Sequence, residues 1–95
     1  GKLDQAKNFY LKAILADSSS SRAYNNLGSV YAQNGSIDTA LILFERAIKL
    51  DTSYAEALYN IGNVFMEKGN KKQAGEFIKR AARFGNPQAI EFLKK

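Results

Sequence analysis

The chain has 95 residues, 24 % of them charged and 45 % hydrophobic, which allows one domain with a small core. It has no Cys and no His, which excludes disulfides, thiol catalysis, His-based triads and the zinc sites built on those side chains. The formal net charge of +5 sits at the C-terminal end: residues 68–95 hold eight Lys and Arg against two acids, residues 1–67 six against seven.

Hydrophobic spacing and turn chemistry predict six helices. The first covers 3–16, with Ala6, Tyr10, Ala13 and Ile14 on one face, and Ser18 to Ser21 connects it to the second. In the second helix, 21–34, Tyr24, Leu27, Gly28 and Tyr31 follow i, i+3, i+4, i+7 spacing and form one apolar stripe. Gly28 costs about 1 kcal/mol of helix propensity relative to Ala, so its presence implies the close approach of a partner helix. Gly35-Ser36 then offers a left-handed turn followed by an N-cap. The third helix, 37–50, carries Ala40 and Ala47 as small residues that let Phe44 reach between neighbours.

The fourth helix, 54–68, repeats the stripe as Leu58, Ile61, Gly62 and Phe65, and Ser53-x-x-Glu56 reads as a capping box at its start. Gly69-Asn70 supplies the next turn, and Asn70-x-x-Gln73 reads as a second capping box. The fifth helix, 71–84, has Ala74, Ile78 and Ala81 on its apolar face, while Gly75 inside it should loosen it by about 1 kcal/mol. Gly85 closes that helix, and Asn86-Pro87 places an N-cap before a proline at the first position of a short helix over 87–94. No apolar run approaches the roughly 20 residues of a membrane span and no secretory leader opens the chain. A soluble protein is expected, with a cytoplasmic location favoured.

These elements recur every 34 residues. Gly1, Gly35 and Gly69 fall in register, as do Ala6, Ala40 and Ala74; Tyr10, Phe44 and Ile78; and Ala13, Ala47 and Ala81. Such a period marks stacked helix pairs, each repeat burying its face against its neighbours. The spacing Tyr24-x2-Leu27-Gly28-x2-Tyr31, followed by Gly35, Ala40, Phe44 and Ala47, resembles the tetratricopeptide repeat family over almost the whole chain. The resemblance implies an all-α, right-handed superhelical solenoid of antiparallel helix pairs, about two and a half repeats long. Residues 1–20 would be the second helix of a truncated repeat, 21–54 and 55–88 two repeats, and 89–95 a short C-terminal helix or cap. Two features depart from the family pattern. Asp17-Ser18 and Asp51-Thr52 stand where a proline is usual, which implies less rigid connections, and Gly75 replaces a larger apolar residue.

In this family the first helix of each pair lines a concave groove that binds extended peptides or partner helices. At about 100° per residue, Arg22, Asn25, Asn26, Ser29 and Gln33 lie away from the apolar stripe of the second helix. Glu56, Tyr59, Asn60, Asn63 and Glu67 form the equivalent set on the fourth, with Met66 beside them. Asn26 and Asn60 coincide across the repeat, and an amide can bond both the N–H and the C=O of a peptide backbone. Asparagines at this place look like the ladder in the repeat arrays of O-linked N-acetylglucosamine transferases. A two-carboxylate clamp of the chaperone-binding kind matches poorly. Asn60 and Lys94 fit, but Asn25, Ser29 and Ile90 stand where other residues are required, so an acidic chaperone tail is not the expected ligand.

Lys72, Lys79 and Arg83 share one face of the fifth helix, with Arg80 at its edge. Such a row attracts acidic partners, but without interleaved exposed aromatics a nucleic-acid function is not expected. The N-terminal helix lacks the partner that Tyr24, Leu27 and Tyr31 give the third, so the chain reads as a piece of a longer array or as stacking end to end on another copy. Three functions remain: a scaffold gripping a partner peptide, a self-association module, or the substrate-recruiting part of a larger enzyme. No cofactor is expected, nor catalysis by this chain. Asp38, Glu45 and Glu76 stand singly, with no paired acid and no phosphate-binding glycine loop.

Overall fold

A computed structural model describes residues 1–95 and shows six α-helices: α1 Lys2–Ala16, α2 Ser21–Gln33, α3 Ile37–Leu50, α4 Ala55–Glu67, α5 Lys71–Arg83 and α6 Pro87–Leu93. The architecture is all-α helical repeat, and every helix boundary falls within one residue of the expectation from the sequence. The chain divides into two compact units, Gly1–Thr52 with α1 to α3 and Ser53–Lys95 with α4 to α6.

The accuracy of the boundaries comes from the turns. After α2, the Gly35 N–H donates to the Ala32 carbonyl at 3.1 Å and the Ser36 N–H to the Tyr31 carbonyl at 2.9 Å, with Gly35 at φ +87°. This is the Schellman arrangement, which satisfies the last carbonyls of a helix and needs a left-handed residue. The same pair of bonds recurs after α4, from Gly69 to Met66 and Asn70 to Phe65, and after α5, from Gly85 to Ala82 and Asn86 to Ala81. In each case the residue that closes one helix is also the N-cap of the next, so the turn can be no longer.

Capping at helix starts agrees less well with the sequence. Asn86 behaves as expected: its side-chain oxygen accepts from the Ala89 N–H at 2.8 Å, with Pro87 at the first helical position. Ser20 caps α2 through Ala23 N–H in the same way. Neither expected capping box forms. The N-cap of α4 is Tyr54, one residue after Ser53, which moves Glu56 out of the required position. Asn70 is the N-cap of α5, but its side-chain amide donates to the Gln73 side chain instead of accepting from the backbone.

The connection after α1 carries side-chain bonds where a proline is usual in the family pattern. Asp17 leaves the helix in extended conformation, and its carboxylate accepts from the Ser19 N–H at 3.0 Å and the Ser19 hydroxyl at 2.5 Å. These two bonds tie the turn through side-chain chemistry, as Asp commonly does. Both stabilise the carboxylate, the hydroxyl more, and hold the Asp17 pKa below its ordinary 3.8.

In the first unit, α2 and α3 close tightly around Leu27, Ala40, Phe44 and Ala47, all buried. Burying a side chain the size of Phe44 contributes about 1.5–3 kcal/mol. Helix α1 packs against α2, with the Lys7 ammonium 5.3 Å from the ring centre of Tyr31. Its coverage is partial. Ala6, Tyr10 and Ala13 are half-buried, whereas Ala40, Phe44 and Ala47 at the same register in α3 are fully buried. Phe9 and Leu15 are exposed at 68 % and 86 %.

The second unit repeats the tight pair. Leu58, Ile61, Ala74, Ile78 and Ala81 are buried between α4 and α5. At the edge of the pair the Phe65 and Phe77 rings stack with centroids 5.7 Å apart, and the Arg80 guanidinium lies 5.1 Å from the Phe77 ring centre. Helix α6 packs on α5, with Ala89 buried.

Candidate functional site

Each helix pair uses one side of its first helix for packing. On α2, Ala23, Leu27, Gly28 and Val30 are buried; on α4, Ala57, Leu58, Ile61, Gly62 and Val64 take the same role. What remains is a polar stripe. On α2 it consists of exposed Arg22 and Gln33 with half-buried Asn26 and Ser29. On α4 it consists of exposed Glu56, Asn63 and Glu67 with half-buried Tyr59 and Asn60.

Asn25 does not belong to the stripe. It is completely buried, contrary to the expectation from helical spacing. It precedes Gly28 by three residues and so shares its flank of α2, the flank that closes against Phe44 of α3. The wheel placed it near the boundary between the two faces, and only the tilt of the packed pair decides such positions. Tyr59, at the same register on α4, is half-buried.

The polar stripes differ in charge. Arg22 is the one charged member on α2, whereas Glu56 and Glu67 bracket the amides on α4. Glu67 lies in the last turn of α4, where the helix dipole disfavours an anion. The tyrosines of the apolar stripe are partly engaged by cations of their own unit: Arg46 lies 5.8 Å from the Tyr24 ring centre, as Lys7 does near Tyr31. This confirms them as half-core residues. The sequence reading did not identify these cation–ring contacts, because the paired residues lie on different helices.

The chemistry available on the stripes is hydrogen bonding by amides, a hydroxyl and a phenol, with charge at the margins. No group of three or more Asp, Glu, His or Cys side chains converges to hold a metal ion, and no helix is long and apolar enough to cross a membrane.

Comparison with known proteins gives a consistent picture. Family models described as tetratricopeptide repeat match residues 9–42 and 55–84, and one described as TPR repeat matches 30–69, so that together they take in residues 9–84. No curated protein matches the sequence. Among solved structures, MamA is similar at 29 % identity and TM-score 0.81, over 90 % of this chain and 50 % of that one. YrrB, described as a TPR protein with an unusual peptide-binding site, is similar at 30 % identity and TM-score 0.79, over 81 % of this chain and 40 % of that one. The chain thus spans half or less of the length of these two proteins. The first TPR domain of Spaghetti (RPAP3), solved with an HSP90 peptide, superposes with TM-score 0.88 over 99 % of this chain and 76 % of that one; its 24 % identity speaks for the fold alone.

Proposed function

The chain belongs to the tetratricopeptide repeat family, and from that premise we propose that it is a protein–protein interaction scaffold in which the polar stripe of α2 and that of α4 each bind peptide. One observation carries this reading. Asn26 and Asn60 stand half-buried at the same register in two separate helix pairs, each within the polar stripe of the first helix. Half-burial restricts an amide's rotamers while leaving it accessible, so less entropy is lost when it bonds a ligand.

Asn26 and Asn60 bond peptide backbone, and Ser29, Gln33, Tyr59 and Asn63 add adaptable polar contacts. Arg22 favours an acidic residue beside α2, and Glu56 and Glu67 favour basic residues beside α4. Each neutral hydrogen bond is worth about 0.5–1.5 kcal/mol net, so the contacts of one pair bind weakly and successive pairs are needed for useful affinity. Support comes from YrrB, a structure 30 % identical to this chain and described as having a peptide-binding site. The asparagine pattern also resembles the repeat arrays of O-linked N-acetylglucosamine transferases. A role as the recruiting part of a larger enzyme is compatible with this, while the chain itself binds and does not catalyse.

The test is selection from a random peptide library on the wild-type chain and on Asn26→Ala/Asn60→Ala, with helicity measured for both. Peptides selected by the wild type and lost by a fully helical double variant support the reading. Equal selection by both, or by neither, removes it.

A second reading rests on a separate observation. Phe9 and Leu15 of α1 are largely exposed and Tyr10 is only half-covered. Packing of these exposed apolar side chains of α1 on another copy makes the chain self-associate. A sedimentation mass that rises with concentration, and returns to the monomer value in Phe9→Ser/Leu15→Ser, is the expected result; a constant monomer mass at high concentration excludes it.

A further inference from the structure

We propose that the outer face of α5 is a second docking surface, separate from the polar stripes, that takes an acidic segment of a partner protein. Lys72, Lys79 and Arg83 are all exposed and follow 7- and 4-residue spacing along the side of α5 opposite buried Ala74, Ile78 and Ala81. They form one row about 16 Å long, at 1.5 Å rise per residue. Helix α5 holds five cations against the single acid Glu76, whereas α3, at the same place in the preceding repeat, holds two of each sign. The framework therefore does not require a basic helix here. No ion pair neutralises Lys72, Lys79 or Arg83.

Lys72 is also placed against the helix's own preference, whereas Arg83 lies in the last turn, where the dipole favours a cation. Helices α1, α3 and α4 have an acid in the first turn, where the helix dipole favours one, but α5 begins with Lys71 and Lys72. Three exposed cations in one row without an internal counter-ion are suited to a counter-ion supplied from outside. Charge complementarity identifies the occupant as a run of Asp or Glu. An extended segment at about 3.3 Å per residue spans the row with about five residues. A protein segment is favoured over nucleic acid because the row carries no aromatic side chain on which a base could stack.

The experiment uses the full chain and a labelled twelve-residue polyglutamate peptide, measured by fluorescence anisotropy at low and physiological salt. Three variants are compared with the wild type: Lys72→Glu/Lys79→Glu/Arg83→Glu, its neutral form Lys72→Gln/Lys79→Gln/Arg83→Gln, and a charge-matched control, Lys2→Glu/Lys12→Glu/Lys49→Glu. The expected result is salt-sensitive wild-type binding that weakens at least tenfold in the reversal variant and severalfold in the neutral one, with less than a threefold change in the control. Asn26→Ala/Asn60→Ala should bind polyglutamate like the wild type, so failure of the α2 and α4 stripes would not register here. The proposal is overturned by absence of polyglutamate binding or by equal loss in the control, which would make net charge the cause. It is also overturned if a thymidine oligonucleotide or vesicles with phosphatidylserine bind more tightly than polyglutamate and depend on the same three residues.

Discussion

A β-carbon placed on Gly28 would lie 2.6 Å from Cε1 and 2.8 Å from Cδ1 of Phe44, and 3.2 Å from the Ala40 carbonyl oxygen. Phe44 is only 2 % exposed, so its ring has little room to withdraw. The second unit repeats the relationship with different chemistry: a β-carbon on Gly62 would lie 2.7 Å from Cγ1 of Ile78 and 3.3 Å from the Ala74 carbonyl oxygen. In both pairs the glycine is the gap into which a large, fully buried side chain of the neighbouring helix fits. That gap sets how closely the helices of each pair approach.

Gly28→Ala should therefore destabilise the protein, although alanine is the better helix former by about 1 kcal/mol. Overpacking a filled core typically costs about 1–3 kcal/mol, which outweighs the gain. Denaturant unfolding should show a lower midpoint. In a Phe44→Leu background the added methyl has more room, and the same substitution should cost less. A stabilised Gly28→Ala would show that the pair is not closed at this point.

Gly75→Ala should have the opposite sign. A β-carbon there meets no atom within 4 Å, and the residue lies within α5. Only the propensity and unfolded-state terms act, and they favour alanine by about 0.5–1 kcal/mol. Thermal unfolding should shift upward with polyglutamate binding unchanged.

The Asp17 carboxyl titrates below its ordinary value because Ser19 donates to it twice. A carboxyl with a lowered folded-state pKa contributes stability above its unfolded value and loses it as pH falls through the folded one. The contribution is fully present above about pH 4 and disappears at more acidic pH. Because the group is fully exposed, titration is a better readout than stability. In Ser19→Ala the Asp17 pKa, followed by carboxyl NMR, should rise toward 3.8, since the hydroxyl is the larger cause. No change would remove the hydroxyl from the account.

Much of the fold was legible because its determinants are local. Gly35, Gly69 and Gly85 mark turns that close by fixed backbone bonds, so α2, α4 and α5 end where the sequence says. The close approach at Gly28 and Gly62 was legible as well, since a glycine inside an apolar helical stripe needs a packing reason. Ser53 and Asn70 were misread because capping depends on the direction in which the chain enters the helix, which neighbouring elements determine. Asn25 was misread because a residue at the margin of two faces is assigned by helix tilt. Arg22, Asn26, Ser29 and Gln33 were legible as one stripe because they lie well inside the polar arc.

The measurement that bears most directly on the peptide-binding stripes is calorimetric titration of a library-selected peptide into the wild type, Asn26→Ala, Asn60→Ala and the double variant. Loss of a neutral hydrogen bond at each site should cost about 1–3 kcal/mol in the double variant, roughly a five- to 150-fold rise in Kd, with each single variant contributing part. Affinity unchanged in a fully helical double variant would contradict the account and place the ligand elsewhere on the chain.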